Sequence, residues 1–469
     1  MFDSEFADAD DAAVVAAIEE HTRLAAVADA RRLAATAELE RRRVVRGAER
    51  ETWVFDGWAG AAAEVGAAMT VGQRRASAQM HIAVALRDRL PRVAALYMQG
   101  LISSRIVATI TWRTTLVEDP EAMALIDAAI ADHAGKWGRL SDDRLDQAVD
   151  VWVAQFDPDA LRNSESAVRS RDFVIGDMDD PAGVVSVWGR ILATDAKTAK
   201  KRIADMVEAV CEDDPRRAGE RRADAVGAIL AGRDVLDCRC GRENCAAAGR
   251  RPSSNVVIHV VADQSAVEAA SKPKPGAATP AGTAVLLGGD VLPTPVLAEV
   301  VRGGAKVKPI LVPDAEPEPH YRPSARLAEF VRMRDMFCRA PGCDVPADRC
   351  ELDHTIPYPF GPTHASNIKC LCPTNHLGKT FDDWQDIQLA DGTVIWISPS
   401  GQKYITKPGS TLFFPTWDIT TADLPPPIVI LTSNGDRTAM MPRRRRTRAA
   451  DEAARIQAER ARNQRQLPF

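Results

Sequence analysis

Histidine is scarce in this chain, and no apolar run approaches the roughly eighteen residues that a membrane-spanning helix requires. A transmembrane segment is therefore not expected. The opening MFDSEFADADD is acidic and has no apolar stretch, so no secretory signal is expected either. No G-x-x-x-x-G-K-[ST] or G-x-G-x-x-G follows a strand. Gly288-Gly289 stands alone, and nucleotide binding is not expected. A large net charge is also missing: 60 basic against 65 acidic side chains leave −5, no overall attraction to nucleic acid, so any basic character must be local. The 9 cysteines concentrate in short segments rather than spreading as a framework. That pattern argues for reduced thiols or metal ligands over disulfides, and for a cytoplasmic protein. With 469 residues, several domains with real cores are expected.

Against 8 histidines in the whole chain, the segment from Cys338 to Lys379 is dense, with five cysteines and three histidines. It reads CRAPGCDVPADRCELDHTIPYPFGPTHASNIKCLCPTNHLGK. Asp353 and His354 are adjacent, so on an extended strand they face opposite sides. One can ligate a metal while the other stays free as a base. Asn367 follows behind a loop containing Pro357, Pro359, Gly361 and Pro362, and His376 lies in LCPTNHLGKTF, which reads as a short helix. Acid, imidazole and thiol in this density fit a metal site that activates a nucleophile. Two structural histidines capping a zinc knuckle are the alternative.

This order over roughly 321–385 resembles the His-Asn-His (HNH) nuclease superfamily, whose site is a ββα-metal unit. The resemblance implies that Asp353 and His376 hold one divalent cation (Mg²⁺, Mn²⁺ or a transition metal). It implies that His354 is the general base, that Asn367 fixes the loop orienting it, and that Lys379 meets a phosphate. Many of these nucleases also carry a structural Zn²⁺, here suggested by Cys338, Cys343 and Cys372. The sequence departs from the pattern at Asn375, where relatives carry Cys or His; Cys350, Cys370 or His364 could substitute. Free buried thiols are the plainer reading of these cysteines.

Upstream, 320–335 reads as a lead-in helix; downstream, 386–406 alternates around Asp391-Gly392 and Ser400-Gly401 as a β-meander. The segment 321–410 is balanced at ten basic and ten acidic residues, whereas from Arg437 onward ten arginines face three acids. Such a run is commonly a solvated tail. Beside a nuclease site, Arg443, Arg444, Arg445, Arg446 and Arg448 are candidate phosphate contacts.

The amino-terminal half is Ala-rich, with helices expected over 9–46, 74–88, 91–98 and 103–117, the last capped by Ser103. Residues 93–110 have a helix–turn–helix look, but an ordinary antiparallel helical hairpin is the favoured reading, since such turns are common in any bundle. A β-hairpin is expected over 171–192, helices over 195–214 and 215–230, and a strand over 255–263. Cys238, Cys240 and Cys245 form a second candidate zinc site, with His259 a possible fourth ligand, or else they are unmetallated thiols. Segments 271–284 and 313–323 have linker composition.

Helical bundle, RRADA helix, CxCG turn and VxVH strand ahead of YRPS and the HNH-like run together resemble the actinobacterial 13E12 repeat family, which couples domain of unknown function 222 to a carboxy-terminal HNH module. The expected fold is α+β and multidomain. It comprises a helical domain at 1–165, its α+β continuation with the Cys cluster at 166–263, a linker with a short helix at 264–320, an HNH module with a β-meander at 321–410, and an extension with a basic tail at 411–469. The expected activity is metal-dependent hydrolysis of DNA phosphodiesters, with a mobile-element origin. The alternative is a nucleic-acid-binding or assembly protein whose HNH unit has lost turnover.

Overall fold

The computed structural model describes residues 5–137, 140–162, 172–176, 180, 183–242, 244–245, 259–271, 282–288, 291–302, 305–424 and 440–464. About half of the chain is helical, and the sheets are small and antiparallel. Two compact units divide it: 1–163 joined with 310–469, and 164–309. The chain is thus not a row of sequential domains, because the amino-terminal helices and the Cys/His-rich segment share one unit.

That unit begins with α1 (Asp11–Arg46), whose N-cap Asp10 accepts from the Ala13 amide and whose last turn carries Arg43 and Arg46, as the helix dipole favours. Then come α2 (Gly57–Met69), α3 (Gln73–Asp88), α4 (Pro91–Met98), α5 (Ser104–Arg113), α6 (Pro120–Ala134) and α7 (Asp142–Phe156). Ser103 caps α5 as expected. Leu33, Leu90, Val93, Tyr97, Ile110 and Ile126 belong to one core, so α4 and α5 turn their apolar faces into the bundle. Helix α2 was not expected. Its glycines weaken helix propensity, but one of them is needed: a Cβ on Gly57 would lie 2.6 Å from the Arg43 carbonyl oxygen.

The second unit contains the expected hairpin, β1 (Asp172–Ile175) paired with β2 (Val187–Arg190). Helices α8 (Ala193–Glu208) and α9 (Ala218–Leu230) follow and pack around Met206, Val210, Ala225 and Ala228. Next are β3 (Val260–Ala262), α10 (Gln264–Ser271), β4 (Ala284–Leu286) and α11 (Thr294–Arg302), with β3 antiparallel to β4. These elements bury Ala266, Ala270, Leu292 and Leu297 in a core of their own, so 264–302 is more than a linker. Most of 271–284, and the start of the strand expected over 255–263, lie outside the described residues.

The first unit resumes with α12 (Ala325–Asp335), capped by Ser324, then β5 (Glu351–His354), β6 (Ile368–Leu371) and α13 (Pro373–Phe381). Strands β5 and β6 are antiparallel, with Asp353 opposite Lys369. The meander is β7 (Gln385–Gln388), β8 (Val394–Ile397) and β9 (Lys403–Thr406), antiparallel throughout. Helices α14 (Ser410–Phe413) and α15 (Arg448–Gln464) complete the unit. Trp53, Phe55 and Ala59 pack with Leu377 and Phe381 of α13, which is why the two ends of the sequence form one body. Among the described residues no helix is long and apolar enough to cross a membrane.

Candidate functional site

Strand alternation places Glu351 and Asp353 on one face of β5 and His354 on the other. On α13, His376 and Lys379 are one turn apart and project together. Asp353 Oδ1 lies 3.4 Å from His376 Nε2, and the other ring nitrogen, Nδ1, lies 2.6 Å from Glu351 Oε2. Asp353 Oδ2 accepts from Lys369 Nζ (2.7 Å) and Lys379 Nζ (2.6 Å). Lys369 also pairs with Asp386 at 2.5 Å, and Lys379 donates to the His354 carbonyl oxygen at 2.8 Å. Burial opposes ionisation of Asp353, but the Lys369 ammonium, the His376 hydrogen bond and Lys379 together hold its carboxyl well below the usual range. His376 is shifted up, first by its bond to Asp353. Burial pushes the Lys379 ammonium down.

His354 sits one residue beyond, on the opposite face, only 7% exposed. Its Nε2 lies 3.0 Å from Thr363 Oγ1, and Thr363 Oγ1 donates to the Tyr321 carbonyl oxygen at 3.4 Å. The Thr363 hydroxyl thus holds the Nε2 side of the ring; in the tautomer that carries its proton on Nε2, Thr363 accepts and the lone pair lies on Nδ1. Burial pushes the His354 pKa down, favouring the neutral ring. Tyr321 stacks on the imidazole, with centroids 5.3 Å apart. Asn367 pins the intervening loop from both ends. Its Oδ1 accepts from the Ile356 amide (2.9 Å), and its Nδ2 donates to the carbonyls of Ile356 (3.0 Å) and Pro362 (2.8 Å).

The structure thus brings Asp353, His354, Asn367 and His376 together. Lys379, expected to meet a phosphate, instead pairs with Asp353, with its side chain 12% exposed. Glu351 and Lys369 were missed. Glu351 was legible, because it lies two residues before Asp353 and so shares its face; nothing in the sequence singles out Lys369.

The basic tail is also partly spent. Arg444 and Arg448 both pair with Asp56 (2.9 and 2.6 Å), and the Arg444 amide donates to the Thr52 carbonyl at 2.6 Å. Further along α15, Arg460 pairs with Asp157 at 2.6 Å. Arg443, Arg445 and Arg446 remain exposed.

Among the described residues two groups of cysteines could hold a metal ion, the sulfurs of each lying within 4.8 Å of one another: Cys338, Cys343 and Cys372 in the first unit, and Cys211, Cys238, Cys240 and Cys245 in the second. In the first group Asn375 takes the fourth corner. Its Nδ2 donates to Cys338 Sγ (3.4 Å) and its Oδ1 accepts from Gln73 Nε2 (2.7 Å). Of the suggested substitutes, Cys350 lies beside Cys338 and also donates to the Pro346 carbonyl (3.3 Å), whereas Cys370 meets the carbonyl of Val331 (4.0 Å) and His364 accepts from the Ser366 amide (3.1 Å). In the second group the fourth member is Cys211, not His259.

Where α13 meets α2, burial pushes the Asp382 carboxyl up to about 7, against the pull of Arg43 and with Glu64 adding to the rise. Its folded pKa lies above the ordinary 3.8, so between these values the folded chain holds a proton that the unfolded chain has released. Stability present in acid is then lost as pH rises through 7. Asp382→Asn is expected to stabilise this unit by roughly 1–3 kcal/mol at pH 8 and by little near pH 4. Thermal melts at the two pH values read this directly; an equal effect at both would contradict it.

Residues 20–335 match the family described as Domain of unknown function (DUF222), the match ending at the last residue of α12. The chain is 52% identical to the uncharacterized protein Rv3776 of Mycobacterium tuberculosis over 97% of its own length and 91% of the relative's. It is 50% identical to the uncharacterized protein Rv2100 of the same organism, over 98% and 89% respectively. No solved structure matches it. A family match over more than half of the residues, together with relatives this similar along nearly their whole length, establishes that this chain belongs to the DUF222 family.

Proposed function

We propose that the β5–β6–α13 segment is an HNH-type endonuclease site that hydrolyses phosphodiester bonds in DNA with the help of one divalent cation. The observation that carries this reading is the meeting of Asp353 Oδ1 and His376 Nε2 at 3.4 Å, with His354 on the opposite face of the same strand. Two adjacent ligands of an octahedral cation with bonds of about 2.1 Å lie roughly 3 Å apart, so this oxygen–nitrogen pair fits one ion. An acid and an imidazole suit Mg²⁺, Mn²⁺ or a transition metal. Glu351 orients the imidazole through Nδ1, leaving Nε2 for the ion. When bound, the ion would neutralise charge on the scissile phosphate and on the departing oxygen.

The remaining steps belong to the protein. His354 Nδ1 takes a proton from the attacking water while Thr363 steadies the far side of the ring. Asn367 keeps the loop from collapsing onto that face. The exposed Arg443, Arg445 and Arg446 offer phosphate contacts that add affinity without sequence preference.

The test is relaxation of supercoiled plasmid by the full chain with Mg²⁺, Mn²⁺, Ni²⁺ or EDTA. Nicking that appears only with a cation is expected. Glu351→Gln is expected to raise the cation concentration for half-maximal nicking about 10–100-fold. A second reading, a nucleic-acid-binding protein without turnover, is favoured by one observation: both ammonium groups on Asp353 Oδ2 already supply positive charge there. Salt-sensitive DNA binding, with no cleavage under any of these cations, would establish it instead.

A further inference from the structure

We infer that Cys211, Cys238, Cys240 and Cys245 form a structural zinc site of four thiolates in the second unit, independent of the nuclease-like segment. The four sulfurs lie within 4.8 Å of one another, and Cys211 Sγ is 3.3 Å from Cys238 Sγ. The edge of a tetrahedron with zinc–sulfur bonds of about 2.3 Å is roughly 3.8 Å, so small adjustments seat the ion. The donors come from two separate places. Cys211 lies just after α8, and the other three lie on the turn after α9.

A buried brace brings these places together without the ion. Asp214 Oδ2 accepts from the Arg239 amide, between Cys238 and Cys240, at 2.8 Å. Arg216 pairs with Asp214 (2.7 Å) and donates to the Asp237 carbonyl (2.6 Å). Arg216 and Asp214 are both buried. The Asp214 amide in turn donates to the Cys211 carbonyl at 3.1 Å. Gly241, with φ +70°, turns the chain after Cys240. The cysteines also close the small core of Met206, Val210, Ala225 and Leu236. A unit with so little apolar interior gains from a metal cross-link.

On binding, the four thiols lose four protons, and the Zn²⁺ tetrathiolate carries a charge of −2. Arg239 and Arg242 lie between these cysteines in sequence, and their guanidinium groups pair with Asp224 (3.4 Å) and Asp213 (2.7 Å). The site is closed, with no position left for water or substrate, which distinguishes it from a catalytic zinc centre.

The experiment measures metal content of the purified full chain by mass spectrometry of the elements, and the absorption spectrum after cobalt exchange. It is run in a Cys343→Ser background so that the other sulfur group does not contribute. One equivalent of zinc is expected, with a cobalt spectrum of four thiolates. Cys211→Ser should lose that equivalent, whereas Cys211→His, which restores a ligand, should keep it and change the cobalt spectrum. Zinc unchanged in Cys211→Ser, or a spectrum of three thiolates or fewer, would overturn the site. So would a metal-free chain showing four fewer thiols on titration in denaturant, the mark of two disulfides.

Discussion

Cation-dependent plasmid nicking is expected to fall about 10²–10⁴-fold in His354→Ala, the contribution typical of a positioned general base. The argument is geometric. His354 Nε2 is held by Thr363 and its ring is stacked on Tyr321, so Nδ1 is the nitrogen left for water. Burial keeps the ring neutral. The substitution removes one side-chain hydrogen bond and the stack on Tyr321, together about 1–3 kcal/mol, so the fold survives and the loss can be read as chemistry. DNA affinity should be nearly unchanged, since the phosphate contacts assigned to Arg443, Arg445 and Arg446 lie elsewhere. Unaltered nicking by a folded His354→Ala protein would remove His354 from the mechanism. Asp353 is a poorer target, because its loss would strand two ammonium groups, one of them fully buried.

Asp335→Ala is expected to have the largest effect on stability. Asp335 is inaccessible to solvent and accepts from Arg334 Nε (2.8 Å), Arg339 Nη1 (3.3 Å) and the Cys370 amide (2.8 Å). Arg334 also donates to the carbonyls of Ala365 and Ile368, and Arg339 to that of Thr406. One carboxylate thus ties α12 to β6 and, through Arg339, to the meander. Removing it leaves two buried guanidinium groups without their counter-charge, a loss of about 3–5 kcal/mol. For a unit of this size the melting temperature should drop by on the order of 10 °C. A change below about 1 kcal/mol in denaturant unfolding would mean that water reaches and solvates these arginines.

Much of the site was legible because its chemistry is local. Asp353, His354, Asn367 and His376 lie within a few dozen residues, and strand alternation with helical spacing places them. What failed was long-range. Cys211 stands 27 residues before Cys238, beyond the span in which cysteines look like a group. Asp56 claims Arg444 and Arg448 from 388 and 392 residues away, so both read as candidate phosphate contacts. Helix α2 was missed because its glycines serve close packing, Gly57 against α1 and Gly60 against Asp382, a tertiary need that propensity does not register.

The pairing of Gln73 with Asn375 spans 302 residues. At a synthesis rate of about 5–20 residues per second, the surface around Trp53 and Phe55 leaves the ribosome roughly 15–60 s before the helix that covers it. During that interval an apolar face stands open in the nascent chain. A message truncated anywhere before α13 would release it permanently uncovered, a natural substrate for chaperones and proteases.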